Sequence, residues 1–300
     1  MLREVSIGWG WEVYIEMFVA GIAAGAYIVA MILEFYGRGR SPVSRAAHLM
    51  GLPLILIATA LLVLKLERSE RFLHMVVQSE NIPVPMIKWW SPISIGSWGL
   101  MIFSMILTIS FIDALVDRGF LKIGPWRTGF TVHGSLAGKV LAVPGLLAAL
   151  FVAGYSGALI SVTAVRGWVD TVFIAPYFLA LSLATGVGAL LLVEAIRRIA
   201  PVDERSGLNT LGTLAIVWQL LLLIVLAISL GGAMSFFLSS ARTIIAFIVA
   251  VIMALAAAAL LYLRLHPSDQ IRVGTGAGLM LISGLLFRYA VVMGPQHAIE

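Results

Sequence analysis

Along the chain, apolar residues come in long unbroken runs separated by short polar segments. Crossing a hydrocarbon core of about 30 Å takes ~20 residues of helix. Runs of that length recur eight times, over Val13–Leu33, Ala46–Leu66, Ile95–Leu115, Leu136–Ile160, Val172–Val193, Leu211–Leu230, Thr243–Leu263 and Val273–Val292. They are continuous and rich in Leu and Ala, whereas strands of a membrane barrel are about 10 residues long with alternating polarity. The pattern predicts an all-α integral membrane protein: an eight-transmembrane-helix bundle forming a single membrane domain over residues 1–300. Composition strengthens this, with 61% hydrophobic and only 12% charged residues, against about 25% charged in soluble domains. At a mean hydropathy of +1.03, lipid has to solvate most of the surface.

Charge then sets an orientation. The connections after spans one, three, five and seven hold Arg38, Arg40, Arg45, Arg118, Lys122, Arg127, Arg197, Arg198, Arg205, Arg264 and Arg272. The opposite side holds Arg3, Lys65, Arg68, Arg71, Lys88, Arg166 and Arg242. The excess of basic residues on the first side predicts that it is cytoplasmic and that both termini are extracytoplasmic. Localisation follows as the cell (cytoplasmic) membrane, multi-pass. The net charge of +5 is spread singly between apolar runs, without the basic stripe of a nucleic-acid binder. Met1–Gly10 lacks a small-residue cleavage site, so the first span is expected to stay in the mature protein. The longest connection, Glu67–Ser94, carries Pro83, Pro85, Trp89 and Trp90 and reads as an ordered interfacial loop or docking surface.

Within the spans, small residues mark close helix packing: Gly21-Ile22-Ala23-Ala24-Gly25, Gly154-Tyr155-Ser156-Gly157, Gly186-Val187-Gly188 and Gly274-Thr275-Gly276-Ala277-Gly278. Ionisable residues at membrane depth cost at least about 2.5 kcal/mol each on insertion scales, so each is a functional candidate with a partner to be found. Span one has Glu12 and, four residues deeper on the same helical face, Glu16. Asp113 near the end of span three and Lys139 near the start of span four form a plausible ion pair. Arg288 lies inside span eight, and His48 opens span two. The plain reading of Glu34, Asp117, Glu194 and Lys65 is interfacial anchoring. Topology puts Glu16 and Tyr155 at similar depth in one leaflet, where a carboxylate and a phenol can bracket a small amphipathic ligand. The competing reading makes Tyr155 a belt aromatic.

Other chemistries lack their residues. There is no cysteine, which removes disulfides, thiolate zinc, iron–sulfur clusters and covalent haem from this chain. His48 and His133 sit at span entrances and His74, His266 and His297 in loops or the tail, unlike the facing intramembrane ligands of a di-haem cytochrome b. No phosphate-binding loop, dinucleotide fingerprint or zinc-protease motif is present, and no metal ligands are assigned. An ion-coupled secondary transporter using Asp113 and Lys139 is the alternative class. Against it, Pro53, Pro144 and Pro176 do not form the matched helix breaks of two repeats.

The segment Trp90-Ser91-Pro92-Ile93-Ser94-Ile95-Gly96-Ser97-Trp98 resembles the S-P-M-S-x-G-S-W signature of the polysulfide reductase membrane-subunit (NrfD-like) family. Phe18–Gly25 resembles that family's F-L-x-G-L-A-A-G run, Tyr155-Ser156-Gly157 its Y-T-G, and Leu286-Phe287-Arg288 its L-L-R, in the same order. The resemblance implies a membrane anchor that exchanges electrons between the quinone pool (menaquinone or ubiquinone) and an iron–sulfur partner. That partner would be a four-cluster subunit on the extracytoplasmic face, working with a catalytic subunit, commonly a molybdopterin oxidoreductase. The chain would then be a subunit of a quinone-dependent membrane oxidoreductase, with quinone as bound substrate. The resemblance places Tyr155 where the family has a quinone-binding tyrosine and Glu16 where it has a polar first-helix residue. Glu16 is then expected to be the proton acceptor and Tyr155 the orienting donor, with Glu12 and Ser97 lining the same pocket. Asp113, Lys139, Arg288, Glu67 and His48 are candidates for a proton pathway. Where the family often reads D-L-G-R-P, this chain has Lys65-Leu66-Glu67-Arg68-Ser69, so Glu67 is the acidic group available there.

Overall fold

A computed structural model describes residues 9–65, 76–77, 85, 87–121, 132–262 and 270–298. Its helices are α1 (Trp11–Phe35), α2 (Pro42–Lys65), α3 (Pro92–Asp117), α4 (Leu136–Ser161), α5 (Ile174–Arg197), α6 (Val202–Leu230), the short α7 (Met234–Phe237), α8 (Ala241–Tyr262) and α9 (Gln270–His297). Among the described residues they form eight spans long and apolar enough to cross a membrane, α6 counting together with α7. The other pairing among these residues is an isolated antiparallel bridge, Val77 with Pro85. Of the expected site residues, Glu67 lies outside the described set, as do His74 and His266.

Helix ends differ from the apolar runs where polar residues continue the helix. α6 begins at Val202, nine residues before its apolar run, because Asp203 and Glu204 in its first turn suit the positive end of the helix dipole. α3 begins at Pro92 because Ser91 caps it, its hydroxyl accepting from the Ser94 amide at 3.4 Å, with proline at the first helical position. Ser135 does the same for α4, accepting from the Gly138 amide at 3.3 Å.

α1, α5 and α9 form the buried centre, while α2, α6 and α8 keep much of their apolar surface facing outward. Without water to drive helices together, packing requires close backbone approach, and the small residues supply it. A methyl group on Gly25 would lie 3.1 Å from the Gly186 Cα and on top of the Ser182 carbonyl. A methyl on Gly186 would lie 2.5 Å from the Gly25 Cα. The glycine run of the first span is thus a backbone-on-backbone crossing with α5. The helices alternate in direction, so the start of α1 and the end of α9 share one end of the bundle: the Trp9 amide donates to Gln296 Oε1 at 3.0 Å. The Trp9 ring stacks on Trp168 at 5.1 Å, and Trp168 donates its indole N–H to the Val291 carbonyl at 2.9 Å.

Candidate functional site

Two groups of polar side chains lie at opposite ends of α1. At the end where α1 starts and α9 finishes, α1 contributes Glu16 and α9 contributes Arg288, which is fully buried. The guanidinium donates from Nη2 to Ser182 Oγ at 3.0 Å and from Nη1 to the Gly284 carbonyl at 3.3 Å. Its Nε has no hydrogen-bond partner. Phe18 and Phe178 lie 5.7 and 5.8 Å from its central carbon, at cation–π distance. Glycine at position 21 makes room for it, since a methyl there would collide with Arg288 and Ser182. Among the described residues no carboxylate forms an ion pair with Arg288. The acid whose charge reaches it through space is Glu16.

Tyr155 of α4 faces the same region, close enough for the Glu16 charge to act on its phenol. Its hydroxyl donates to the Pro92 carbonyl in the first turn of α3, at 2.6 Å. The ring lies directly over Gly96, where any side chain would occupy its space. Phe151, one turn earlier on α4, stacks on Tyr155 at 5.2 Å and 24° and lies over Gly99 in the same way. Two glycines three residues apart on α3 thus receive two stacked rings four residues apart on α4. Ser97 donates its hydroxyl to its own helix, to the Ile93 carbonyl at 2.9 Å. Glu12 is half-buried at the outer margin of α1. Trp89 and Trp90, just before the α3 cap, pack edge to face at 5.5 Å and are largely exposed.

At the other end, three successive amides leading into α4 are bound by two carboxylates. Asp113 accepts from the Val132 N–H at 2.7 Å and the His133 N–H at 3.1 Å, and Glu34 accepts from the Gly134 N–H at 2.8 Å. His133 Nδ1 lies 3.4 Å from Glu34 Oε2, at ion-pair distance but without hydrogen-bond alignment. The His133 ring stacks on His48 at 4.0 Å. His48 makes a hydrogen-bond contact with the Ser44 hydroxyl at 3.2 Å and meets the edge of Tyr27 at 5.5 Å, whose hydroxyl pairs with Ser110 at 3.1 Å. Burial pushes the His133 imidazole below its ordinary value, against the opposing charges of Asp113 and Glu34.

Several expectations change at this end. Asp113 does not pair with Lys139: its oxygens are taken by backbone amides, and Lys139 is exposed in the first turn of α4. Glu34 and Glu194 are not anchors reaching for water. Both are fully buried, and Glu194 binds Arg205 at 2.8 Å and the Ala200 amide at 2.7 Å. Asp117 fits the interfacial reading, pairing at 3.3 Å with a partly exposed Arg45. Of the expected residues, the structure brings Glu16, Tyr155 and Arg288 to one region and places His48 and Asp113 at the far end of the bundle. Sequence reasoning missed His133 and Glu34 as a pair, and assigned no contact to Pro92 or Gly96. Those two stand inside the quoted signature, so the motif was visible without its partner.

A carboxylate, a phenol oxygen and a fixed positive charge among aromatic rings can bind an amphipathic molecule with hydroxyl or carbonyl groups and move a proton to or from it. Among described residues no group of side chains is arranged to hold a metal ion. The sequence is similar to a protein of Halobacterium salinarum that is named as a dimethyl sulfoxide reductase membrane subunit, with 27% identity over 217 residues. That alignment covers 68% of this chain and 48% of the relative, so the match spans about half the length of that protein. The family model described as polysulphide reductase, NrfD, matches residues 3–300. That match takes in the α3 signature, the Tyr155 it holds, and the first and last helices that supply Glu16 and Arg288; the chain belongs to the NrfD polysulphide reductase family.

Proposed function

We propose that this chain is the quinone-reactive membrane anchor of a respiratory oxidoreductase, passing electrons between the quinone pool and an iron–sulfur subunit docked on the face where α1 starts and α9 finishes. A catalytic subunit of the molybdopterin type, bound to that iron–sulfur partner, would complete the complex, and the same face would lie outside the cytoplasmic membrane. The observation that supports this reading best is the convergence of Glu16, Tyr155 and Arg288 from α1, α4 and α9 beneath the signature segment of α3.

Quinol oxidation releases two electrons and two protons. The electrons would leave to an iron–sulfur cluster held by the partner subunit. One proton passes to the Glu16 carboxylate and the other to water at the same face, with Glu12 one helical turn outward on the route. Among the described residues no carboxylate forms an ion pair with Arg288, and its fixed positive charge can offset the negative charge that develops on the substrate oxygen as its proton leaves. Tyr155 fixes the position of the ring oxygen. Run backwards, the same atoms serve quinone reduction.

The test is Glu16→Gln in the intact complex. Quinol-linked turnover should fall by about 100-fold or more, while the partner subunits still co-purify and a soluble viologen dye still drives the catalytic subunit. Unchanged quinol turnover would remove Glu16 and overturn the reading of this site.

A further inference from the structure

We infer that the first turn of α3 locks Tyr155 into the role of hydrogen-bond acceptor, so that the site binds the hydroquinone form of its substrate in preference to the quinone. The inference rests on the proposal that Tyr155 lines a quinone site, and goes beyond it by assigning which redox form the phenol recognises.

A phenol has one proton to donate and lone pairs with which to accept. Here the proton has a fixed destination. The Pro92 carbonyl can only accept, and at 2.6 Å the phenolic hydrogen has to lie between the two oxygens. The contact is held by shape as well as by polarity. Glycine at 96 lets the ring lie against the α3 backbone, and Phe151, seated over Gly99, stacks on the ring's neighbour side. For Tyr155 to donate to a ligand, its O–H has to turn away from Pro92, which breaks that contact and leaves the phenol and carbonyl oxygens facing each other as two acceptors at 2.6 Å. What the oxygen offers a ligand in place is lone-pair density.

A quinone carbonyl is also an acceptor and gains nothing from that oxygen; two facing acceptors repel. A hydroquinone hydroxyl is a donor and gains a hydrogen bond. This reverses the donor role that the sequence suggests for Tyr155. It also gives Gly96 a function as a positioning residue: it sets which end of a hydrogen bond Tyr155 presents. Preferential binding of the reduced form suits a complex that draws electrons from the quinol pool toward its partner subunits.

The test uses redox-inert mimics, so that turnover does not alter the ligand. 1-Naphthol presents a hydroxyl donor and 1-tetralone a carbonyl acceptor on a similar bicyclic frame. Each is measured as a competitive inhibitor of menadiol-driven turnover by the purified complex. In the wild type, 1-naphthol should bind about tenfold tighter than 1-tetralone, roughly the worth of one hydrogen bond. Tyr155→Phe should bring the ratio to within about threefold, by weakening 1-naphthol and leaving 1-tetralone unchanged. Gly96→Ala, which displaces the ring from Pro92, should narrow the ratio in the same direction while Gly99→Ala narrows it less. A wild-type ratio near one, tighter binding of 1-tetralone, or a ratio indifferent to Tyr155→Phe would overturn the inference. An assembled complex that does not turn over menadiol at all would instead overturn the proposed function, which separates the two failures.

Discussion

The two ends of α1 carry similar inventories: each has a carboxylate at membrane depth, an aromatic with a hydroxyl, and a cationic or potentially cationic group. They differ in what their hydrogen-bonding groups face. Around Glu34 and Asp113, three of the four carboxylate oxygens accept from consecutive backbone amides at 2.7–3.1 Å, and the fourth lies against His133. Around Glu16, Arg288 keeps an unpaired Nε and no ion-pair partner among the described residues, and Tyr155 keeps its lone pairs. An intramembrane charge whose hydrogen bonds go to the local backbone is holding a chain reversal. One that binds no backbone amide and has no ion-pair partner is not committed to the chain in that way. Neither burial nor an incomplete set of hydrogen bonds separates these cases, since Glu34 Oε2 and both ring nitrogens of His133 also lack a hydrogen-bond partner; the identity of the partners does.

The contrast can be broken by exchanging the consequences. Glu16→Gln carries the largest expected effect, on activity: about 100-fold or more in quinol turnover, with the melting temperature in detergent unchanged. Asp113→Ala should do the opposite. It leaves the Val132 and His133 amides without their acceptor, at a cost of about 3 kcal/mol, read as a lowered melting temperature and poorer assembly. A melting temperature lowered by Glu16→Gln, or a neutral Asp113→Ala, would erase the distinction.

A smaller effect follows from pH. Burial holds the folded-state value of His133 below its unfolded one, so as pH falls the unfolded chain takes up the proton first. The native arrangement is therefore fully stable above about pH 6.5 and loses stability as the pH falls below that. Hydrogen exchange at the Val132 and Gly134 amides, corrected for intrinsic rates, should show weaker protection at pH 5 than at pH 7.5. Equal protection would show that His133 does not titrate against this fold. Smallest of all is Arg45→Ala, because its pair with Asp117 is 33% and 23% exposed; thermal unfolding should register less than about 1 kcal/mol.

The spans were legible because each is a continuous apolar run, a signal that needs no knowledge of neighbours. Their ends were less so: Val202 to Thr210 is polar on average yet helical, since a helix does not stop where the hydrocarbon does. In the site, Glu16, Tyr155 and Arg288 stood out as polar residues in apolar surroundings. Their convergence depends on which helices pack together, and no periodicity encodes that. The role of Asp113 was not legible because its partners are backbone amides, which leave no trace in the side-chain pattern; Lys139 was simply the nearest visible cation. The stacking of His48 on His133 was hidden for a related reason, since two residues at separate span entrances meet only once α2 and α4 are placed.

The crossing of α1 and α5 has a consequence for how this protein can change over generations. Where Gly25 and Gly186 meet, each backbone occupies the volume a side chain of the other would need. Each position is closed to every other residue as long as its opposite number stands, and no single compensating substitution reopens it, since the obstruction is main chain. In a library of all single variants, these two sites should be the most intolerant in the sequence. The lipid-facing positions of α8, such as Ile245, Ile248 and Ile252, should instead drift freely among apolar residues. The oldest readable record of the fold would then lie in its two smallest side chains.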